Sequence, residues 1–145
     1  VKIQLIDENC KPAYHQKGDV CMDCRARTDI EWVWEKGLKV AYIPLGFKVK
    51  VPLGYALKLY SRSGQAWNYN ITLANSVGII DGSFREEVQV KLIHHSISVD
   101  TPPSIKQYDR VCQMALVEHP VIYLEEVDKL PRTNRGKGLG SSGNE

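Results

Sequence analysis

The sequence predicts an all-β domain of the jelly-roll or barrel kind. Short runs that alternate apolar and polar residues recur along it, and turns containing Pro or Gly separate them. Only one segment reads as helix, and it is a turn or two long. The first clear run is IEWVWE at 30–35, which Lys36-Gly37 turns into LKVAYI. Pro44-Leu45-Gly46 leads into FKVKV at 47–51, and Pro52-Leu53-Gly54 into YALKLYS at 55–61. At both breaks Pro fixes φ and Gly tolerates a positive one. The helical candidate, 63–68, follows. In EEVQVKLI, at 86–93, Val88, Val90 and Leu92 alternate with Gln89, Lys91 and Ile93. RVCQMALV at 110–117 and VIYLEEV at 121–127 complete the set, parted by His119-Pro120. Strands at this density imply a sandwich or a jelly-roll-like barrel.

The chain of 145 residues suits one domain, expected over 1–130. A Gly-rich arm, PRTNRGKGLGSSGNE at 131–145, has one large apolar residue, Leu139, and cannot order itself by burial. A net charge of +2 argues against nucleic acid or an anionic membrane as the main partner. No run is long and apolar enough to span a bilayer. The start, VKIQLIDENCK, shows no secretory pattern, so a cytoplasmic or otherwise intracellular location is expected.

Several segments could carry chemistry. Cys21-Met22-Asp23-Cys24 is a CxxC, but Cys10 and Cys112 stand alone and no helix follows, so neither a zinc site nor a redox motif is expected. On a strand, Cys21 and Cys24 would face opposite sides. Tyr60-Ser61-Arg62-Ser63-Gly64 can present a guanidinium, a hydroxyl and N–H groups to a phosphate, or can be a plain turn. Asn75 to Gly82 reads as a hairpin ending in Asp81. After Ile79-Ile80 that carboxylate would be partly screened, which suits a base; its bland alternative is an Asp-Gly turn. RGKGLGSSG has the composition of a phosphate-cradling loop but lacks the G-K-[ST] ending of a P-loop.

Taken in order, these segments resemble the homotrimeric dUTPase family, the deoxyuridine triphosphate nucleotidohydrolases. GDVCMDCRA (18–26), SRSG (61–64), NSVGIIDGSFREEV (75–88), YDRVCQM (108–114) and RGKGLGSSG (135–143) match its five motifs in sequence. The resemblance implies hydrolysis of dUTP to dUMP and pyrophosphate with Mg²⁺ on the phosphates. Asp81 would activate the attacking water, with Arg62 and Gln113 beside it as catalytic groups. Ser63 and Gly64 would donate to the phosphates, and Asp23 would hold the metal through water. Asn75, Gly78, Ile79 and Ile80 would read the uracil edge and Phe84 would underlie the deoxyribose. Gln89 falls in the same substrate-binding set. Arg135, Leu139, Gly140, Ser141 and Ser142 would close over the nucleotide, with the arm exchanged to a neighbour in a homotrimer.

The sequence departs from the family pattern at Cys21, Glu86 and Tyr108, where Gly is usual, at Phe84 (usually Tyr), and at Leu139, where many members stack a Phe on the base. A dCTP deaminase resembles the third motif but needs Glu ten residues after the Asp, and Lys91 stands there. The rival of another class is a weakly catalytic dUTPase-like trimer that binds a regulatory protein in a nucleotide-dependent way.

Overall fold

The computed structural model describes residues 1–95 and 101–133. Its strands are β1 (Lys2–Leu5), β2 (Met22–Arg25), β3 (Val33–Glu35), β4 (Leu38–Pro44), β5 (Phe47–Lys50), β6 (Tyr55–Tyr60), β7 (Ile71–Leu73), β8 (Val77–Ile80), β9 (Gln89–His94) and β10 (Arg110–Glu118), with one short helix, α1 (Ser63–Tyr69). They form two antiparallel four-stranded sheets, ordered β2-β10-β6-β8 and β3-β4-β9-β7, and a two-stranded ribbon of β1 with β5. The all-β, jelly-roll-like architecture expected from the sequence is the one found.

The alternation that predicted the strands also builds the core. On β9, Val90 and Leu92 turn inward while Gln89 and Lys91 turn out. Phe47, Ile43, Leu45, Leu59, Ile71, Leu92, Val88 and Val111 are fully buried between the layers. The tight link from β3 to β4 runs through Lys36 and Gly37 at φ +50° and +81°. Two consecutive positive φ values match the right-handed twist of a hairpin, which explains Gly at the second position.

Three sequence expectations differ from the structure. The run 121–127 forms no strand; Val121, Ile122, Tyr123 and Leu124 are largely exposed, because among the described residues no strand runs alongside to accept them. β1, lacking strong alternation, escaped notice, yet pairs in register with β5 from Lys2↔Lys50 to Leu5↔Phe47. The hairpin expected at 75–82 is a corner between sheets: β7 pairs with β9, whereas β8 pairs with β6. Both arms bury one face, Ile71 and Leu73 on one sheet and Gly78 and Ile80 on the other, so each gains more from opposite layers than from pairing together.

Tyr108 adopts φ +69°, the left-handed region that favours Gly. Its main chain is held from both sides, with its N–H donating to Ala26 O at 2.7 Å and its O accepting from Arg25 Nη1 at 2.7 Å. The side chain adds a tie that Gly lacks, its hydroxyl donating to Asp7 Oδ2 at 3.1 Å. The same hydroxyl accepts from Asn9 Nδ2 at 3.4 Å, so Tyr108→Phe should cost about 1–2 kcal/mol, the worth of a half-exposed bond to a carboxylate and a longer one to an amide. At fixed protein concentration, urea unfolding should show a lower midpoint with an unchanged slope. An unaltered midpoint would mean that the main-chain contacts alone hold this turn.

Candidate active site

Asp23 on β2, Gln113 on β10 and Tyr60 on β6 lie side by side in register across the first sheet. The next row inward, Cys24 opposite Cys112, is fully buried, so the Asp23 row lies on the outer face. The Cys24 thiol is pushed well up by its hydrogen bond with Cys112 and by burial, which makes it a poor nucleophile. Cys21 is only half-buried, and among the described residues no three His, Cys, Asp or Glu are placed to hold a metal ion together. Of the CxxC pair, Cys24 is part of the core and Cys21 stands at its edge.

A polar cleft of about 280 Å³ opens over that row, lined by Asp23, Arg62, Ser63, Gly64, Arg110 and Gln113 among others. Arg62 follows β6 in extended conformation and caps α1, whose first residues are Ser63 and Gly64. Its Nε donates to Asp23 Oδ1 at 3.1 Å, and Arg110 Nη1 donates to Asp23 Oδ2 at 3.0 Å. Gln113 Nε2 donates to Ser61 O at 2.9 Å, which orients the amide beside the cleft. The two guanidinium groups share the cleft with two carboxylates, Asp23 and Asp19, the latter accepting from the main-chain N–H groups of His15 and Gln16. The formal charges balance, and the N–H groups that the arginines leave unused are the donors an anion could meet.

Arg110 was missed from the sequence for a definite reason. Three residues from Gln113, it should face the opposite side of a regular strand. A bulge between Arg110 and Cys112 inserts one extra residue in β10, setting Arg110 opposite Arg25 while Gln113 stays opposite Asp23. Arg25 and Asp23 are two apart on β2, so Arg110 and Gln113 share a face.

The remaining candidates lie elsewhere. Asn75, Gly78, Ile79, Ile80 and Gln89 line a second cleft of about 340 Å³, together with Leu59 and Val90. Gly78 lets β8 approach β6: a Cβ there would sit 3.0 Å from Leu59 Cβ. Phe84 is half-buried against the core. Asp81 is exposed rather than screened, since inward-facing Ile80 ends the strand and the next residue points away. Its O accepts from Phe84 N–H at 3.2 Å, closing the turn. The two clefts share no lining residue. Ile80 pairs with Leu57, so Asp81 continues β8 to the level of Ala56, six residues along β6 from Arg62. At about 3.3 Å per residue their backbones are about 20 Å apart. Within one chain, Asp81 and Arg62 are not brought together. Arg135, Leu139, Gly140, Ser141 and Ser142 lie outside the described residues.

An all-β fold with a polar, arginine-bearing cleft and a separate pocket lined by main chain and apolar side chains has the kind of sites that receive a small polar ligand. The dUTPase family model matches residues 8–143. A deoxyuridine 5'-triphosphate nucleotidohydrolase of Finegoldia magna is 34% identical over 140 residues, covering 95% of both chains. The same-named protein of a Picosynechococcus species is 39% identical over 91% of this chain and 89% of its own. Among solved structures, the dUTPase of Streptococcus mutans superposes with a TM-score of 0.70 at 21% identity, covering 83% of this chain and 98% of that one. A mutant dUTPase from phage phi11 of Staphylococcus aureus, described with a coordinated structural Mg(II) ion, reaches 0.75 at 19% identity, over 90% of this chain and 98% of that one. The chain belongs to the dUTPase family.

Proposed function

We propose that the chain is a dUTP diphosphatase that hydrolyses dUTP to dUMP and pyrophosphate by attack of water on the α-phosphorus. The observation that supports this best is the convergence of Asp23, Arg62 and Gln113, from three separate sequence motifs, on one polar cleft. The water oxygen forms its bond to the α-phosphorus as the bond to the α–β bridging oxygen breaks, and pyrophosphate leaves. Asp81 accepts the proton of the attacking water. Arg62, the Ser63 hydroxyl and the Gly64 N–H receive the phosphate oxygens, while Gln113 steadies the α-phosphate or the water. Asn75 and the main chain of 78–80 hold the uracil, and Gln89 lies beside them. In this reading a base held that closely excludes a 5-methyl group, and the Phe84 ring under the deoxyribose excludes a 2′-hydroxyl.

Mg²⁺ fits this donor set as an ion brought by the triphosphate. Both Asp23 oxygens already accept from guanidinium groups, which suits that carboxylate to metal-bound water rather than to direct ligation. Bound there, the ion would spread the negative charge of the phosphates.

The distance between Asp81 and Arg62 requires that one chain supply the water-activating side and another the phosphate side. A homotrimer provides this, with the exposed apolar run at 121–124 carrying the arm toward a neighbour. Arg135, Leu139, Gly140, Ser141 and Ser142 complete the reading as the cover over the nucleotide.

Pyrophosphate release tests the reading. We expect Mg²⁺-dependent turnover of dUTP at least 100-fold faster in kcat/KM than that of dTTP, dCTP or UTP, because a buried misfit typically costs about 3 kcal/mol. Equal turnover of dUTP and dTTP would remove the uracil assignment.

A further inference from the structure

We propose that Arg110 is a positioning residue for the phosphate cleft, dividing the Asp23 carboxylate so that Arg62 keeps N–H groups for the triphosphate. The proposal rests on the reading of that cleft given above. Left alone, an Arg and a carboxylate at this distance tend to close into a two-pronged pair, consuming two N–H groups on one edge of the guanidinium. Here the carboxylate is split. Oδ1 takes only Nε of Arg62 at 3.1 Å, and Oδ2 is held at 3.0 Å by Arg110 Nη1.

Arg110 also acts on Arg62 through its main chain. Its O accepts from Arg62 Nη1 at 3.1 Å, and from Gln65 Nε2 at 3.4 Å. With Nε and Nη1 both fixed, the guanidinium cannot turn, and among the described residues Nη2 meets no acceptor. That edge is the one offered to a ligand. The bulge in β10 makes this possible, because it turns Arg110 out to the face of Asp23. The positive charge of Arg110 also offsets that of the Asp23 carboxylate, which would otherwise cancel that of Arg62.

A double-mutant cycle tests this, built from Arg110→Gln, Asp23→Asn and the pair, with each fold checked by thermal melting. Two quantities are read: kcat/KM for dUTP, and the Kd of an α,β-imido dUTP analogue with Mg²⁺ by calorimetry. Arg110→Gln should weaken both by about 10- to 100-fold, the worth of one charge-assisted hydrogen bond. In the Asp23→Asn background the same change should cost less than about threefold, because the carboxylate through which it acts is gone. Arg110→Lys, which keeps a charge on Oδ2, should recover most of the loss.

Additive losses in the cycle would overturn the proposal, as would an Arg110→Gln variant with unchanged kcat/KM and Kd. If Arg110→Gln does not fold, the cycle is read on Arg110→Met, whose side chain matches the length of the aliphatic stem. A wild-type chain that does not bind the analogue would overturn the reading of the cleft and this role with it. A wild-type chain that binds it, with an additive cycle, would overturn this role alone.

Discussion

Asp81→Asn should lose turnover by about 10²- to 10⁴-fold while binding dUTP nearly as well as before. The substitution replaces one carboxylate oxygen by an amide nitrogen of similar size, so the turn closed by Phe84 N–H on Asp81 O stays in place. What the proposed mechanism loses is its proton acceptor, and the range corresponds to about 3–5 kcal/mol of barrier. Asp81 is exposed in the isolated chain, on a turn also braced by Arg85 Nη1 on Gly82 O at 2.7 Å, so little folding energy depends on its charge. Single-turnover quenching separates chemistry from binding, and calorimetry with the imido analogue gives the Kd. A variant that turns over at more than a tenth of the wild-type rate would place the general base elsewhere.

Two inactive variants should restore each other when mixed. In the proposed mechanism Arg62→Ala removes the phosphate side of the site and Asp81→Asn the water-activating side, and the two residues lie at opposite ends of β6. If each site takes Arg62 from one chain and Asp81 from another, equimolar random trimers contain both intact halves in about a quarter of their sites. Activity should rise from near zero to about that fraction of wild type after subunit exchange or co-expression. If both groups served within one chain, every site would carry one lesion and the mixture would stay dead. That outcome would overturn the shared site, whatever the oligomer proves to be.

The sequence revealed most where a residue's role depends on local pattern. The strands at 38–43 and 55–61 and the Lys36-Gly37 turn follow from period-two alternation and from turn chemistry, both local properties. The five motifs located Asp23, Arg62 and Gln113, and the structure brings these onto one cleft. What escaped depended on long-range geometry. Arg110 was hidden because strict alternation would turn it inward, and only the bulge reverses that. The corner from β7 to β8 resembled a hairpin because a turn signal does not say which sheet each arm joins. The run at 121–127 has strand-like composition, but a strand needs a partner, and composition is silent on where that partner is. Asp81 looked shielded by its apolar neighbours, yet on a strand end the neighbours face inward without it.

The position of β10 bears on how the protein is made. Among the described residues, the last strand to leave the ribosome is an inner strand of its sheet, lying between β2 and β6. Until residues 110–118 have emerged, β2 has no partner strand and β6 is paired on only one side, with β8. Stepwise folding during translation is therefore denied to this sheet, and its apolar face must wait for closure by contacts spanning most of the chain. The same late strand brings Arg110 and Gln113, so this sheet and the polar cleft over it are completed together. A premature stop before β10 would leave a fragment with neither, exposing strand edges to whatever chains surround it.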